Sequence, residues 1–239
     1  MSIVDSRKRP ARIAGLWYLA MALSGPIGIV YVPSKILVAG DAGATAANIV
    51  AHELLLRGGI LSSLVCQISF VFLVLALNRL FQGVNDRQAK LMVSLVMAAV
   101  PIAIVNELFQ LAALEIGKGG PHLTALAPEQ RNALALAFLN VHQNGISIVG
   151  TFWGLWLFPF GMLAIQSRFI PRILGALLLV SGCSYLIETF VVLLAPQHRE
   201  ALAGVLALPM ALGEVSMVLW LLIKGVRAGD TAVPTSGRA

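Results

Sequence analysis

Three glutamates lie inside stretches of sequence that are otherwise apolar. Glu107 is in the segment VPIAIVNELFQLAAL, and Glu188 and Glu214 have similar surroundings. A charge at the centre of a membrane helix costs about 2.5–3.5 kcal/mol on insertion scales, so a carboxylate there must be protonated, paired or hydrated. Carboxylates in such surroundings exchange protons or bind ligands more often than they serve packing alone.

Other polar residues accompany these glutamates at helical spacing. Gln110 shares a face with Glu107, and Ser184 and Tyr185 share one with Glu188, because residues three and four apart lie on the same side of a helix. His142 lies on the opposite side from the polar stripe that contains Asn144, so it can belong to a separate contact. The predicted ligand-binding or proton-titrating residues are Glu107, Glu188, Glu214, His142, Gln110, Ser184, Tyr185 and Asn144.

The sequence contains no complete metal-binding or nucleophile motif. It lacks H-E-x-x-H and G-x-S-x-G, and Cys66 and Cys183 stand alone. The residues that could ligate a metal in spite of this are His52, His142, Glu107 and Glu188. Catalytic residues stay unassigned, and no cofactor is implied by a motif.

Composition identifies the elements that must position these residues. Of the 239 residues, 58% are hydrophobic and only 12% are charged, and the mean hydropathy is +0.87. A spanning helix needs about 20 apolar residues, and six stretches qualify: Ile13–Val32, Ile60–Leu77, Leu91–Leu114, Ile146–Ile165, Ile173–Ala195 and Val205–Ile223. The fold class is therefore predicted to be all-α, a polytopic bundle with six spans.

The distribution of lysine and arginine predicts the orientation. With six spans both termini lie on one side, together with twelve of the 17 basic residues. The other five are Lys35, Arg57, Lys118, Arg131 and Arg199. Basic residues favour the cytoplasmic side, so both termini are predicted to be cytoplasmic. The high pI of about 9.8 is then a signal of topology, and no nucleic-acid partner is expected.

The chain is predicted to form a single transmembrane domain over residues 1–227, with a disordered tail at 228–239. Between the first two spans, residues 41–59 should contain a helix with a flexible joint at Gly58-Gly59. Residues 117–140 should begin as a loop and become helical from about Pro128. Gly150 and Gly154 form a G-x-x-x-G that lets a neighbouring helix approach closely.

The polar residues can be compared by their estimated depth in the membrane. At ~1.5 Å per residue, Glu107 and Glu188 both lie roughly 6 Å below the outer surface of the hydrocarbon, and Glu214 lies near the midplane. All three glutamates are thus predicted to lie in the outer half of the membrane. The three glutamates are predicted to line one polar cavity that is closed toward the cytoplasm and opens near His142.

Several stretches resemble a known family along nearly the whole chain. They are RIAGLWYL from Arg12, NIVAHELLLRGGIL from Asn48, NEL from Asn106, VHQNG from Val141, GLWLFPFG from Gly154, IPRILG from Ile170 and EVSMVLWLLIKGV from Glu214. The family is catalogued as domain of unknown function 4386. The resemblance implies a helical, multi-spanning protein of a bacterial inner membrane, and it supplies no functional residues.

Three functional classes stay open on the sequence. The first is binding or transport of a small or lipophilic molecule, and it is preferred. The second is an accessory or structural membrane subunit, and the third is an intramembrane metal-dependent hydrolase. A haem held by His52 and His142 is a remote fourth. The expected partners are the lipid bilayer and a lipid or small lipophilic molecule, and the oligomeric state is left open.

Overall fold

Helices account for nearly all of the computed structural model, which describes residues 3–226 and contains no strand in that range. The helices are α1 (Ile3–Pro26), α2 (Val32–Ile36), α3 (Ala42–Ala51), α4 (Glu53–Lys118), α5 (Pro128–Ser167), α6 (Arg172–Leu194) and α7 (Arg199–Ile223). A π-helical turn, Ile27–Tyr31, joins α1 to α2. Within the described range, five helical stretches are long and apolar enough to cross a membrane.

The longest helix, α4, is broken at Asn85. It contains 66 residues and would extend roughly 100 Å if straight, about three times the hydrocarbon thickness. Asn85 has extended dihedral angles, φ −156° and ψ 96°, and its side-chain oxygen accepts the backbone N–H of Gln88 at 3.1 Å. It therefore caps a new helix start. We refer to residues 53–84 and 86–118 as the first and second arms of α4.

Both arms of α4 pack into one hydrophobic core. Leu73 and Leu77 of the first arm and Met92 of the second belong to the same buried cluster, and none of them retains exposed surface. Side chains from α1, α5, α6 and α7 complete this cluster. Neighbouring helices contact one another in the order α1, α4, α5, α6, α7, and α7 returns to contact α1. The bundle is thus a closed ring of helices.

Helices α5 and α6 meet through two pairs of glycines. A methyl group on Gly154 would lie 2.8 Å from the carbonyl oxygen of Gly182, and one on Gly161 would lie 2.7 Å from that of Gly175. Both distances are too short for a side chain, so the backbones touch directly. The predicted close approach at Gly154 is therefore present. Gly150 contributes nothing to it, because a methyl group there would meet only Thr189 Oγ1, at 3.7 Å.

Two connecting segments differ in how well the sequence predicts them. The predicted joint at Gly58-Gly59 is wrong, because α4 begins at Glu53 and passes through both glycines as regular helix. Gly59 instead leaves room for the side chain of Val32, which a methyl group would approach to 2.8 Å. In the other segment α5 begins at Pro128, as predicted. The predicted tail at 228–239 lies outside the described residues.

Candidate functional site

A cavity of about 450 Å³ lies between α1, the first arm of α4, α5, α6 and α7. Most of its wall is apolar, so the few polar groups in it stand out. These are the side chains of Tyr18, Gln67, Gln143, Ser147, Tyr185, Glu188, Arg199 and Glu214. A mostly apolar cavity of this size with a few polar groups is typical of a small-molecule binding site.

Glu214 is the best-organised polar group in this wall. The hydroxyl of Tyr18 donates to its Oε2 at 2.9 Å, and the hydroxyl of Tyr185 donates to its Oε1 at 2.7 Å. Each carboxylate oxygen thus receives one donor from a different helix. Glu214 keeps some accessible surface because the cavity adjoins it, although protein surrounds it on the other sides. Among the described residues, no lysine, arginine or histidine is paired with this carboxylate.

Aromatic rings surround the two tyrosines that hold Glu214. Trp153 meets Tyr185 edge to face, with the ring centroids 6.4 Å apart. Trp156 meets Tyr18 in the same way, at 6.1 Å. Phe70 packs against Trp156 at 4.9 Å. Trp156 is almost fully buried. The wall around the carboxylate is therefore rich in aromatic surface.

Glu188 and Arg199 form a second charged region of the wall. Glu188 follows Tyr185 by three positions on α6, so both side chains face the same side of that helix. Arg199 is the first residue of α7 and lines the same cavity, so its positive charge lies in one wall with the Glu188 carboxylate. The two opposite charges therefore partly compensate each other, whereas Glu214 lies deeper and has only neutral partners.

Gln67 lines the cavity and carries a buried acceptor without a partner in the described part of the chain. Its side chain is 5% exposed, and Oε1 has no hydrogen-bond partner among the described residues. A buried polar atom without a partner costs about 1–3 kcal/mol, and such atoms are uncommon in native proteins. Gln67 lines the cavity, but Oε1 itself has almost no accessible surface, so a molecule in the cavity supplies the missing donor only if the side chain turns toward it.

A second polar cluster joins α4 to α5. The amide of Gln110 lies 2.7 Å from Glu107 Oε2 and 3.0 Å from His142 Nε2, and its two hydrogens can serve both acceptors. His142 Nε2 also lies 3.6 Å from Glu107 Oε1. All three side chains are buried. This cluster contains every polar partner that Glu107 has among the described residues.

Asn106 and Gly145 hold the two helices together beside this cluster. Asn106 donates from its side chain to the carbonyl oxygen of His142 at 3.0 Å. A methyl group on Gly145 would lie 2.0 Å from Asn106 Oδ1, so only glycine leaves room for the asparagine. The motifs NEL and VHQNG thus meet across the α4–α5 interface.

The structure divides the predicted site residues among three settings. Glu188, Glu214 and Tyr185 line the cavity, whereas Glu107, Gln110 and His142 are in the α4–α5 cluster. The three glutamates therefore do not share one lining. Ser184 is buried and donates to the carbonyl oxygen of Val180 in its own helix, at 3.1 Å. Asn144 is exposed.

The residues considered as metal ligands are also separated. His52 is exposed at the end of α3, Glu188 faces the cavity, and only Glu107 and His142 lie close together. Across residues 3–226, no group of three or more His, Cys, Asp or Glu side chains is arranged to hold a metal ion.

Tyr18, Gln67 and Arg199 contribute to the cavity but were not among the predicted site residues. Tyr18 and Gln67 do carry a signal in the sequence, since a phenol or an amide inside an apolar span needs a hydrogen-bond partner. Arg199 carries none, because it belongs to a loop in the sequence pattern. Its place in the wall depends on how α7 begins.

Comparison with known proteins gives one match. The model of the family described as Domain of unknown function (DUF4386) matches residues 13–225. No curated protein and no solved structure matches the chain.

Proposed function

The chain belongs to the DUF4386 family, and we propose that it is an integral membrane protein that binds or transports a small or lipophilic molecule in the cavity around Glu214. The observation that carries this proposal is the combination of an apolar wall with a preformed acceptor. Two tyrosines hold the carboxylate in place before any ligand arrives. Such preorganisation reduces the entropy that binding would otherwise cost.

The ligand reaches the cavity between α1 and α7. These helices touch at Gly15 and Leu222 and again at Tyr18 and Glu214. Beyond Tyr18 the wall is formed by residues that are themselves partly or largely exposed, such as Val30 at 64%. A molecule that is dissolved in the surrounding lipid can therefore approach Glu214 from the side.

We further propose six membrane crossings, with the two arms of α4 forming the second and third. The break at Asn85 lies beside α5, since Asn85 Nδ2 is 3.5 Å from Gln166 Oε1. The first and last residues of α4, Glu53 and Lys118, form an ion pair at 3.0 Å, so the two ends of this helix lie together. Both features are expected of a hairpin that crosses a bilayer twice.

The positive-inside pattern then places both termini and the Asn85 turn in the cytoplasm of a bacterium, with the bundle in the inner membrane. Glu214 lies near the midplane, and Glu188 and Arg199 lie toward the outer side. We propose that residues 1–227 act as one domain, because the same hydrophobic core joins α1, α4, α5, α6 and α7.

The α4–α5 cluster has a supporting role in this proposal. Glu107, Gln110 and His142 hold together two helices that form one side of the bundle, and polar contacts between membrane helices commonly serve this purpose. A metal-dependent hydrolase would need a third ligand beside Glu107 and His142. An accessory subunit would not need the cavity to be accessible.

Filling the cavity tests the proposal. Gly150→Leu adds a side chain at a position that lines the cavity, and its Cβ would meet only Thr189 Oγ1, at 3.7 Å. Gly58→Leu is the matched control, since that helical glycine has nothing within 4 Å and does not line the cavity. Both changes raise helix propensity by a similar amount, up to about 1 kcal/mol.

The measurement is quenching of tryptophan fluorescence by 8-bromooctan-1-ol in purified protein. Trp153 and Trp156 line the cavity, and bromine quenches only at short range. We expect saturable quenching in the unaltered protein and in Gly58→Leu, and loss of the saturable part in Gly150→Leu. Equal saturable quenching in all three proteins would show that the bromoalcohol binds elsewhere. Stoichiometric zinc or iron in the purified protein would instead support the hydrolase.

A further inference from the structure

We propose that the ligand of this cavity is a protonated organic amine with an apolar body, bound through its ammonium group to Glu214. This inference rests on the proposed binding function and adds the chemical class of the ligand. The ammonium group would lie at the carboxylate, and the apolar body would extend along the wall toward the opening between α1 and α7.

The charges of the wall favour a cation. Its ionisable acidic and basic side chains are Glu188, Glu214 and Arg199, apart from the weakly acidic phenols and thiol. Two negative charges and one positive charge leave −2 + 1 = −1 when all three are ionised. Arg199 lies in the same wall as Glu188, whereas the hydrogen-bond partners of Glu214 are two neutral hydroxyls, so a charge on Glu214 is the one that these partners do not compensate. A ligand with one positive charge would make the wall neutral.

The geometry of Glu214 leaves room for an ammonium group. An ionised carboxylate has about four positions at which it can accept a hydrogen bond. Tyr18 and Tyr185 occupy two of them, one on each oxygen. The remaining positions can accept N–H groups from a ligand. Hydrogen bonds of this charge-assisted kind are about twice as strong as neutral ones.

The rings around the carboxylate suit a cation as well. Trp153 and Tyr185 line the cavity and keep some accessible surface, and the faces of such rings attract cations within about 6 Å. An alkyl ammonium group would thus be held by charge on one side and by aromatic faces on the other. Binding of a fatty acid would be disfavoured, because Glu214 and Glu188 would repel its carboxylate.

Gln67 distinguishes an amine with N–H groups from a quaternary ammonium. Gln67 lines the cavity, and its Oε1 is buried and accepts no hydrogen bond from the described residues, so a ligand reaches that oxygen only if the side chain turns toward the cavity. A primary or secondary ammonium group has more than one N–H and can donate to an amide oxygen in addition to a carboxylate. A quaternary ammonium has no hydrogen to donate and would leave Oε1 without a partner.

The experiment compares two probes of the same length. We expect 8-bromooctylamine, which is protonated at pH 7, to quench the cavity tryptophans with a dissociation constant at least tenfold lower than that of 8-bromooctan-1-ol. Glu214→Gln keeps the size of the side chain and removes its charge, so we expect it to abolish the preference while the alcohol still binds. Glu107→Gln is the matched control, since it neutralises a buried glutamate outside the cavity, and it should keep the preference.

The outcomes separate this inference from the proposed function. If the alcohol binds saturably and the amine binds no more tightly in the unaltered protein, the cavity is a binding site, but the assignment of an amine as its ligand is wrong. If neither probe binds saturably, both proposals fail. If Glu214→Gln retains a tenfold preference for the amine, then Glu214 is not the group that selects it. The comparison of probes in the unaltered protein decides the ligand class even where a variant does not fold.

Discussion

Tyr18 donates a 2.9 Å hydrogen bond to Glu214 although 196 positions separate them in the chain. This bond joins α1 to α7, and Tyr185 extends it to α6. Tyr18 has no exposed surface, so its hydroxyl depends on Glu214 as its hydrogen-bond partner. The carboxylate therefore has two uses, since it holds together helices from both ends of the chain and presents its free lone pairs to the cavity.

The first prediction concerns the stability that Glu214 provides. Glu214→Gln should lower the free energy of unfolding by less than about 1 kcal/mol, because the amide can still accept from one tyrosine and donate to the other. Glu214→Ala should cost about 1–3 kcal/mol for each tyrosine hydroxyl left unpaired. Unfolding in mixed micelles, followed by circular dichroism, measures both changes.

A double-mutant cycle with Tyr18→Phe is the control for this prediction. Removing the hydroxyl and the carboxylate together should cost less than the sum of the two single changes, because the bond can be lost only once. Additive costs would mean that the Tyr18–Glu214 bond contributes nothing measurable.

The second prediction concerns the α4–α5 interface at Gly145. Gly145→Ala places a methyl group 2.0 Å from Asn106 Oδ1, so Asn106 must move and lose its bond to the His142 carbonyl. We expect a loss of about 1–3 kcal/mol in unfolding free energy, since both groups are buried. Gly58→Ala has nothing within 4 Å and should instead stabilise the helix by up to about 1 kcal/mol.

Equal effects of the two alanines on stability would contradict this account of Gly145. The measurement is the same micelle unfolding, and binding of 8-bromooctan-1-ol to Gly145→Ala serves as a second readout. Because Gly145 does not line the cavity, a folded Gly145→Ala protein should bind the bromoalcohol as the unaltered protein does.

The third prediction concerns topology. With Cys66 and Cys183 replaced by alanine, single cysteines at Gln82 and His122 should react oppositely with an impermeant maleimide added to intact cells. Both positions are exposed, and they lie at opposite ends of the bundle, Gln82 near the Asn85 turn and His122 in the segment between α4 and α5. Only the cysteine at His122 should be labelled from outside.

His122 is a better position for this test than the neighbouring Gly119. Gly119 has φ +68°, and a side chain there would lie 2.2 Å from the guanidinium of Arg131, so a cysteine would be strained and crowded. Labelling of both Gln82→Cys and His122→Cys from outside would exclude the proposed six crossings. Labelling of Gln82→Cys alone would reverse the orientation.

Local properties of the sequence determined the class of the protein and some of the helix bounds. Apolar stretches of about 20 residues predict helices in a bilayer because their backbone groups must bond within the segment. For the same reason α6 (Arg172–Leu194) nearly coincides with the predicted span 173–195. Pro128 was correctly predicted as the start of α5, since proline suits the first turn of a helix.

Depth along a helix also follows from the sequence, because each residue adds a fixed rise. It placed Glu107 level with Glu188 and put His142 nearer the outer surface, whereas the structure brings Glu107 and His142 within 3.6 Å of each other. Helical spacing placed Tyr185 and Glu188 on one face, and both line the cavity. Height and face within one helix are properties of that helix alone.

Which helix lies opposite each face was decided only by the tertiary structure. Glu107 and Glu188 have similar predicted depths, yet Glu107 faces α5 in its own cluster and Glu188 faces the cavity. The pairing of Glu214 with Tyr18 depends on the return of α7 to α1, which closes the ring. At that contact α1 contributes Gly15, where a methyl group would lie 3.0 Å from the backbone nitrogen of Leu222 in α7. Periodicity within one helix contains no information about its neighbours, so the sequence pattern gave the candidate groups and packing decided which of them meet.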